Sequence, residues 1–331
     1  MKAVYISEFG DGFDHIGLRD IPVPEGPKPG EVIVRVQAAG VNRADLLQAR
    51  GSYPPPMGYS ANIPGLEFAG VIASAGSDVS EWKEGERAFG ITAGEAQAEF
   101  LRIDHRLLMR IPPNLSFIEA SAIPEAFITA HDAVIVQGGL TAGETLLIHA
   151  VGSGVGLAAL QMAKAKGARV IGTSRTEAKL ASCLALGLDA GITVTDVDEL
   201  AAKFLEESEG RGADVILDLV GAAYFQPNMT CLAVNGRLLL VGLTSGAKAE
   251  FNLALALQKR AKIIGTVLRG RSVEEKAAAT KAFADDQLGN LTSGTIRPNL
   301  DRVFPAQDAA EAYRYVASNK NFGKVVLDLS S

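Results

Sequence analysis

The strongest constraint on the fold is an alternation of apolar and amphipathic segments that begins at residue 145 and continues to residue 268. The strands at residues 214–220 and 237–243 are apolar on both faces, as in a sheet that is covered on both sides. Strand–helix alternation over this length predicts a doubly wound, parallel α/β sheet. The pattern predicts strands at residues 145–150, 168–173, 214–220, 237–243 and 262–268, and helices at residues 155–167 and 176–187.

The first third of the chain has a different pattern, in which short alternating segments are interrupted by glycine and proline. Proline keeps the loops at residues 21–30 and 50–58 out of any hydrogen-bonded ladder. This part of the chain is therefore predicted to be a β-rich unit. Its strands are predicted at residues 31–38, 67–76, 86–91 and 98–103.

A largely helical segment at residues 116–137 separates the two patterns. Ser116 has the position of an N-cap, and Glu119, three residues later, has that of its capping-box partner. The end of the chain predicts helices at residues 274–288 and 306–319 and a final strand at residues 323–329.

The final strand decides the expected domain organisation, because a strand needs a sheet to join. We expect it to return to the β-rich unit, which makes that unit discontinuous. The expected domains are residues 1–122 with 270–331, and residues 123–269, with a cofactor in the cleft between them.

Composition narrows the class of protein. A chain of 331 residues is long enough for two domains. Its net charge of −6 and pI of about 5.4 disfavour a broad nucleic-acid or anionic-membrane binding face. The two cysteines, Cys183 and Cys231, supply neither a disulfide framework nor a metal cluster, and this usage is typical of a reducing compartment. Since we find no secretory signal and no run of about 18 apolar residues, we expect a soluble, cytoplasmic protein.

Residues 146–156, LLIHAVGSGVG, join the first predicted strand of the α/β domain to its helix. Glycine in such a turn lets the backbone approach a pyrophosphate, and the helix adds free N–H groups. Ser153 occupies the position of the middle glycine of the usual dinucleotide pattern, and its hydroxyl can donate a hydrogen bond to the cofactor. Val151 occupies the position of the first glycine. The alternative is a turn that needs glycine only for close packing of strand on helix. The cofactor residues predicted here are Gly152, Ser153, Gly154, Val155 and Gly156.

The end of the next strand predicts which nicotinamide cofactor binds. NAD enzymes tend to have an acidic residue here for the ribose hydroxyl, but residues 169–176 contain none. Ser174, Arg175 and Lys179 instead form a hydroxyl–cation group suited to the 2′-phosphate of NADPH. The alternative is an exposed loop arginine and a solvated lysine.

A catalytic zinc can be tested against the available ligands. The β-rich domain of a zinc alcohol dehydrogenase needs Cys or His ligands, yet only His15 and His105 precede residue 116, and neither has a partner at ligand spacing. His131 and His149 are expected to be structural. We therefore expect no metal.

Several long motifs together resemble one family. The chain is similar to the zinc-independent medium-chain dehydrogenases/reductases, in the quinone oxidoreductase (zeta-crystallin-like) branch, and within it most of all to the tumour-suppressor-inducible quinone oxidoreductases. This resemblance implies a Rossmann-type domain plus a discontinuous GroES-like β-rich domain. The matching segments are MKAVYISEFG, AAGVNRADLLQARGSYPPP, PGLEFAGVIASAG, IPEAFITA, IHAVGSGVGLAALQMAK, ILDLVG, GRLLLVGL, VLRGRS and NKNFGKVVLDL.

The resemblance also implies site residues. Leu66 replaces a zinc-ligand histidine, and Ser153 marks the branch with a cofactor or active-site hydrogen bond. Val194 departs from relatives that place a tyrosine against the adenine. It implies that Asn42, Tyr53 and Thr129 border the nicotinamide and the substrate, and that Asn321 and Lys324 lie over the cofactor. It also implies that main-chain groups contact the carboxamide, from Val241, Gly242, Leu243, Thr266, Val267 and Leu268.

The resulting expectation is an NADPH-dependent reductase of small quinones or similar conjugated carbonyl compounds, acting by hydride or electron transfer. Tyr53 and Ser153 are the catalytic candidates, with Tyr53 polarising the acceptor oxygen; the alternative for Tyr53 is an aromatic plug. Other possible functions are enoyl reduction of α,β-unsaturated ketones or acyl thioesters, and a structural or RNA-associated NADPH-binding protein. The apolar segments 251–258 and 262–268 predict a homodimer through a sheet edge, with no nucleic-acid or membrane partner.

Overall fold

A computed structural model describes residues 1–330 of the chain. The chain forms two compact units, residues 1–128 together with the segment from residue 268 onward, and residues 129–267. The strands are β1 (Lys2–Ile6), β2 (Ile16–Asp20), β3 (Glu31–Val41), β4 (Glu67–Ala75), β5 (Arg87–Ile91), β6 (Phe100–Asp104), β7 (Leu108–Arg110), β8 (Thr145–Ile148), β9 (Arg169–Ser174), β10 (Ala190–Thr193), β11 (Ala213–Asp218), β12 (Leu232–Leu240), β13 (Lys262–Gly265), β14 (Leu300–Pro305) and β15 (Lys324–Asp328). The α-helices are α1 (Arg43–Ala49), α2 (Phe117–Ala120), α3 (Pro124–Ala130), α4 (Gly154–Ala165), α5 (Glu177–Ala185), α6 (Leu200–Glu207), α7 (Ala222–Cys231), α8 (Leu253–Lys259), α9 (Val273–Ser293) and α10 (Ala309–Ala317).

The first unit is built on a sheet with strand order β14-β15-β3-β4-β5-β7, in which β6 also pairs with β3. The last strand, β15, runs antiparallel to β3 with Val326 opposite Gly40, so the end of the chain joins the β-rich sheet as its sequence predicts. Phe68, Ile72 and Tyr313 are fully buried in the core that this sheet shares with α10.

The segment at residues 116–137 is helical but interrupted. Ser116 and Glu119 form the predicted capping box, with Glu119 N donating to Ser116 Oγ (3.2 Å) and Ser116 N donating to Glu119 Oε2 (2.8 Å). A second helix, α3, begins at Pro124, whose missing N–H is tolerated at a first helical position. A π-helix at His131–Gln137 follows, so the largely helical segment that the pattern predicts consists of three short helical pieces.

The second unit contains a parallel sheet with strand order β10-β9-β8-β11-β12-β13. Numbered within the unit, this is the order 3-2-1-4-5-6 of a doubly wound dinucleotide-binding fold. The direction of winding reverses between β8 and β11, where Ile148 pairs with Leu217. The predicted combination of a Rossmann-type sheet and a separate β-rich domain is confirmed.

Two strands end before their predicted bounds. Strand β12 ends at Leu240, rather than at residue 243, and β13 ends at Gly265, rather than at residue 268. Just beyond these ends, Val241 N and Gly242 N still donate to Asp218 O (3.0 and 3.2 Å), and Thr266 N donates to Leu240 O (3.0 Å). Within residues 1–330 no helix is both long and apolar enough to cross a bilayer.

Candidate active site

The parallel sheet brings four of the predicted segments to one edge. Strands β8, β9, β12 and β13 run in the same direction, so the loops that follow them all lie at the carboxyl edge of the sheet. In open α/β sheets, ligands bind outside this edge, where the winding reverses. The segments are Gly152–Gly156 after β8, Ser174 and Arg175 at the end of β9, Val241–Leu243 after β12, and Thr266 and Val267 after β13.

The altered glycine loop is a well-formed helix start. Ser153 is the N-cap of α4, and its Oγ accepts from Gly156 N (3.1 Å). The hydroxyl hydrogen is not used in this bond and can be donated to a ligand. A Cβ at Gly156 would lie 2.6 Å from Val151 O, so this glycine is required by the turn itself. The loop therefore keeps the groups that a phosphate needs, which are the N–H groups of the first turn of α4 and a hydroxyl.

The end of β9 is positively charged. Arg175 is exposed directly before α5, and Ser174 Oγ accepts from Thr176 N (3.3 Å), which forms the turn into that helix. Burial raises the pKa of Tyr224, and the positive charge of Arg175 partly opposes this, so the guanidinium lies within electrostatic range of the phenol. Burial likewise raises the pKa of Cys183 to about 11, against the opposing charge of Lys179. Lys179 lies in the first turn of α5, directly after this strand end.

A buried polar network, which the sequence did not predict, lies at the carboxyl ends of β8, β9 and β11. Asn228 Nδ2 donates to Asp218 Oδ2 (2.9 Å), so Asn228 Oδ1 accepts from His149 Nε2 (2.6 Å). His149 Nδ1 is then the acceptor for the Thr173 hydroxyl (3.0 Å). Burial lowers the pKa of His149, which agrees with this neutral tautomer.

The expected structural role of His149 is thus confirmed, since both ring nitrogens have partners. Asp218 extends the network into the next loop, because its Oδ1 accepts from Val220 N (2.7 Å) and Gly221 N (2.9 Å). Only the segment ILDLVG pointed to Asp218 in the sequence, and nothing there linked it to Asn228.

In the first unit, Asn42 and Lys324 both bind the carboxylate of Glu67. Asn42 Nδ2 donates to Glu67 Oε1 (2.8 Å), and Lys324 Nζ lies 2.5 Å from the same oxygen and 2.6 Å from Asn42 Oδ1. A Cβ at Gly40 would overlap the Glu67 carboxylate, so a glycine in β3 makes room for this group. Lys324 is only 5% exposed, and its ammonium is bound to these two side chains. Asn321 lies in the turn before it, with Nδ2 donating to Gly323 O (2.8 Å).

Tyr53 is held by an arginine that sequence reasoning missed. Arg269 Nη1 donates to Tyr53 O (2.9 Å), and the guanidinium carbon lies 5.0 Å from the centroid of the tyrosine ring. Arg269 also donates to Ala93 O (2.9 Å) and to Gln48 Oε1. Burial raises the pKa of Tyr53 although Arg269 opposes it, so the phenol is protonated at neutral pH and able to donate. The segment VLRGRS contained the only sequence signal for Arg269.

The remaining candidates are distributed over both units. Thr129 is partly exposed near the end of α3 in the second unit, and Leu268 is buried at the start of the second segment of the first. Thr266 Oγ1 donates to Asp132 Oδ2 (3.1 Å), which anchors the segment after β13. Val194 is buried in the core of the second unit.

The side chains do not fit a catalytic zinc. Within residues 1–330, no group of three or more His, Cys, Asp or Glu side chains could hold a metal ion. Leu66 is fully buried, and both cysteines are buried in the second unit, where burial raises the pKa of Cys231 to about 12.

Two family descriptions match separate stretches of the chain. Residues 28–113 match the alcohol dehydrogenase GroES-like domain, and residues 154–284 match the zinc-binding dehydrogenase family. The human quinone oxidoreductase is 31% identical over 334 aligned residues, covering 99% of this chain and 97% of its own. The chain belongs to the medium-chain dehydrogenase/reductase family, in its quinone oxidoreductase branch, and is an oxidoreductase of that family.

Solved structures agree with this assignment. A quinone oxidoreductase of Pseudomonas syringae pv. Tomato DC3000 superposes with a TM-score of 0.88 at 28% identity, covering 99% of each chain. The JamJ enoyl reductase in its apo form also has a TM-score of 0.88 at 28% identity, covering 99% of this chain and 98% of its own. Family membership implies a nicotinamide cofactor, and the α4 turn, with its free N–H groups and the Ser153 hydroxyl, fits the phosphates of one.

Proposed function

We propose that this protein is an NADPH-dependent reductase of small quinones or related conjugated carbonyl compounds. The observation that carries the proposal is the pair of cations that follow β9, Arg175 in the turn and Lys179 in the first turn of α5, while residues 169–176 contain no carboxylate. An arginine can pair with a phosphate through two parallel hydrogen bonds, whereas a bare ribose hydroxyl is best bound by a carboxylate.

The glycine loop would hold the pyrophosphate. The N–H groups of the first turn of α4 offer partial positive charge, and the Ser153 hydroxyl offers a further donor. Because Val241 N and Gly242 N already donate to Asp218 O, these two residues can offer a carboxamide their carbonyl oxygens. Leu243, Thr266, Val267 and Leu268 would also contribute main-chain groups, and Asn321 and Lys324 would border the cofactor from the end of the chain.

The bound cofactor would supply the hydride, and the chain's own residues would orient the acceptor and stabilise the charge that develops on its oxygen. Tyr53 is suited to this role because its phenol is protonated and its position is fixed by Arg269. Asn42 would border the acceptor, with its amide oriented by Glu67 and Lys324. Thr129 would border the nicotinamide.

Enoyl reduction is the second candidate, because the fold superposes on the JamJ enoyl reductase as well as it does on a quinone oxidoreductase. Both reactions place negative charge on an oxygen conjugated to the reduced bond. The same Tyr53 donor would serve either one, so the acceptor has to be identified by turnover.

The test is a panel of quinones and α,β-unsaturated ketones and thioesters, each assayed with NADPH and with NADH. The proposal expects kcat/KM to be highest with a quinone and at least about tenfold higher with NADPH, since one charged hydrogen bond contributes about 1.5–3 kcal/mol. Turnover of enones alone would favour the second candidate. Equal use of both cofactors would contradict the choice of NADPH.

A second copy of the chain is the expected partner. Strand β13 is at the edge of the parallel sheet, and an uncovered edge favours pairing. The residues beside it are apolar and exposed, with Leu253 69%, Leu257 79% and Ile263 41% exposed. These exposed apolar side chains at a sheet edge support a symmetric dimer.

A further inference from the structure

Tyr224 is a buried aromatic residue of the second unit that no part of the proposed chemistry uses. It lies in the first turn of α7, just after the loop that follows β11, and is 8% exposed. Within the described residues 1–330, its hydroxyl makes no hydrogen bond. A buried tyrosine usually has a partner for its hydroxyl, because the group can both donate and accept. The Tyr224 hydroxyl is therefore available to a bound molecule.

The ring of Tyr224 has a defined place against the buried polar network. It packs edge-on against His149, with the ring centroids 4.8 Å apart and the planes at 90°. Asn228, one helical turn further along α7, binds Nε2 of the same His149 ring (2.6 Å). Residues four apart share a face of a helix, so Tyr224 and Asn228 both face His149. Since α7 begins just after β11 ends, Tyr224 is the member of this pair nearer the carboxyl edge of the sheet.

This place coincides with the point where the winding of the sheet reverses. His149 directly follows β8 and Tyr224 follows β11, and the reversal occurs between these two strands. Doubly wound sheets bind ligands outside the carboxyl edge at this point, with the pyrophosphate of a dinucleotide at the start of the helix after the first strand. That helix is α4, and its N-cap, Ser153, follows His149 by four residues. Tyr224 therefore packs on the residue that leads into the phosphate-binding turn of the proposed function.

The side chain is fixed before any ligand binds. The start of α7 is held by the next loop, because Ala222 N donates to Gly246 O (3.1 Å) and Ala223 N donates to Ser245 Oγ (3.0 Å). Contact with His149 fixes the ring, so binding to the hydroxyl costs little conformational entropy. Burial raises the pKa of Tyr224, so the hydroxyl keeps its proton at neutral pH and can donate it to an anion.

We propose that Tyr224 is a further cofactor-binding residue, whose hydroxyl donates a hydrogen bond to a pyrophosphate oxygen of the nicotinamide cofactor. The inference rests on the proposed function, which puts the pyrophosphate at the turn into α4. The contact is one that NADPH and NADH share. It thus differs from that of Arg175, whose expected partner is the 2′-phosphate, which only NADPH has. A phosphate oxygen is a charged acceptor, and hydrogen bonds to charged groups are about twice as strong as neutral ones.

The first test compares Tyr224→Phe, which keeps the ring and removes only the hydroxyl, with Tyr315→Phe. Tyr315 lies in the first unit, and its hydroxyl donates to Asp301 Oδ2 (2.7 Å), so it is the matched control. Calorimetric titration gives the Kd of NADPH, of NADH and of ADP-ribose, which has the same diphosphate but no nicotinamide. We expect Tyr224→Phe to raise all three Kd values about ten- to a hundredfold, and Tyr315→Phe to change none.

The second test is the stability of the protein without cofactor. Because the Tyr224 hydroxyl has no partner there, Tyr224→Phe should unfold at the same urea concentration as the wild type. A lower unfolding midpoint would show that the hydroxyl has a structural partner and would overturn the inference. Unchanged Kd values would overturn it too, and so would a loss confined to NADPH, which would place the hydroxyl at the 2′-phosphate. A wild type that binds neither NADPH nor NADH would overturn the proposed function and this inference together.

Discussion

Val151 packs directly against Gly172. Val151 stands where a dinucleotide loop usually has its first glycine, and a Cβ at Gly172 would lie only 2.7 Å from Val151 Cγ1. The valine side chain in the loop therefore has room because residue 172 of β9 is a glycine. The pairing joins the turn after β8 to the neighbouring strand, and it explains how the loop tolerates a valine while keeping its backbone shape.

Gly172→Ala should therefore destabilise the protein by about 1–3 kcal/mol, because an added methyl overpacks a closed core. The double variant Val151→Ala with Gly172→Ala should recover part of this loss. Denaturant unfolding measures both. Gly265→Ala is the control, because a Cβ there would meet nothing within 4 Å. Equal losses at Gly172 and Gly265 would show that backbone propensity, and not contact with Val151, causes the effect.

Arg175→Ala should weaken NADPH binding about ten- to a hundredfold and leave NADH almost unchanged, since a charged hydrogen bond contributes about 1.5–3 kcal/mol. Arg175→Asp should weaken NADPH further, because a carboxylate repels the 2′-phosphate. Cofactor titration followed by fluorescence measures both effects. Arg211→Ala, which removes another exposed arginine of the same unit, is the control. If Arg175→Ala weakened both cofactors alike, Arg175 would be only a solvated loop residue.

Lys324→Met should destabilise the first unit by about 3–5 kcal/mol, because it leaves the buried Glu67 carboxylate without its counter-charge. The double variant Glu67→Gln with Lys324→Met should be more stable than Lys324→Met alone. Free energies of unfolding in urea measure this coupling. A single variant as stable as the wild type would mean that the pair contributes nothing to folding and that Lys324 has another role.

His149 should make stability sensitive to acid. Its pKa is lowered in the folded protein, so the unfolded chain binds more protons once the pH falls below its usual 6.5, and the free energy of unfolding decreases there. His149→Gln should remove this part of the pH dependence, whereas His105→Gln should keep it. Unfolding free energies at about pH 7 and about pH 5 provide the comparison. An unchanged slope in His149→Gln would contradict the neutral state of the ring.

Leu257→Asp should dissociate the proposed dimer, because it places a charge in the exposed apolar group beside β13. Sedimentation should then give the 34.7 kDa of a single chain, compared with twice that value for the wild type. Leu186→Asp alters another exposed leucine of the same unit and should leave the dimer intact. A wild type that sediments as a monomer at micromolar concentration would rule out the dimer.

The sequence predicts the parts of the candidate site that depend on local order. The turn from β8 to α4 needs its helix start and glycines within a few residues, and the cations after β9 follow directly from their place at a strand end. Ser116 and Glu119 form their capping box for the same reason, because both partners belong to one helical turn. Interactions of this range are encoded in adjacent residues and are visible without a structure.

By itself, then, the sequence determined the strand–helix alternation, the glycine-containing turn into α4 and the sign of the charge on the residues after β9. Only the tertiary structure decided which distant polar groups meet. Asn42 and Lys324 are separated by 282 residues and meet because β15 pairs with β3. His149 and Asn228 are separated by 79 residues and meet because α7 places Asn228 against the end of β8. Burial and desolvation arise only when these segments pack, so no local pattern records them.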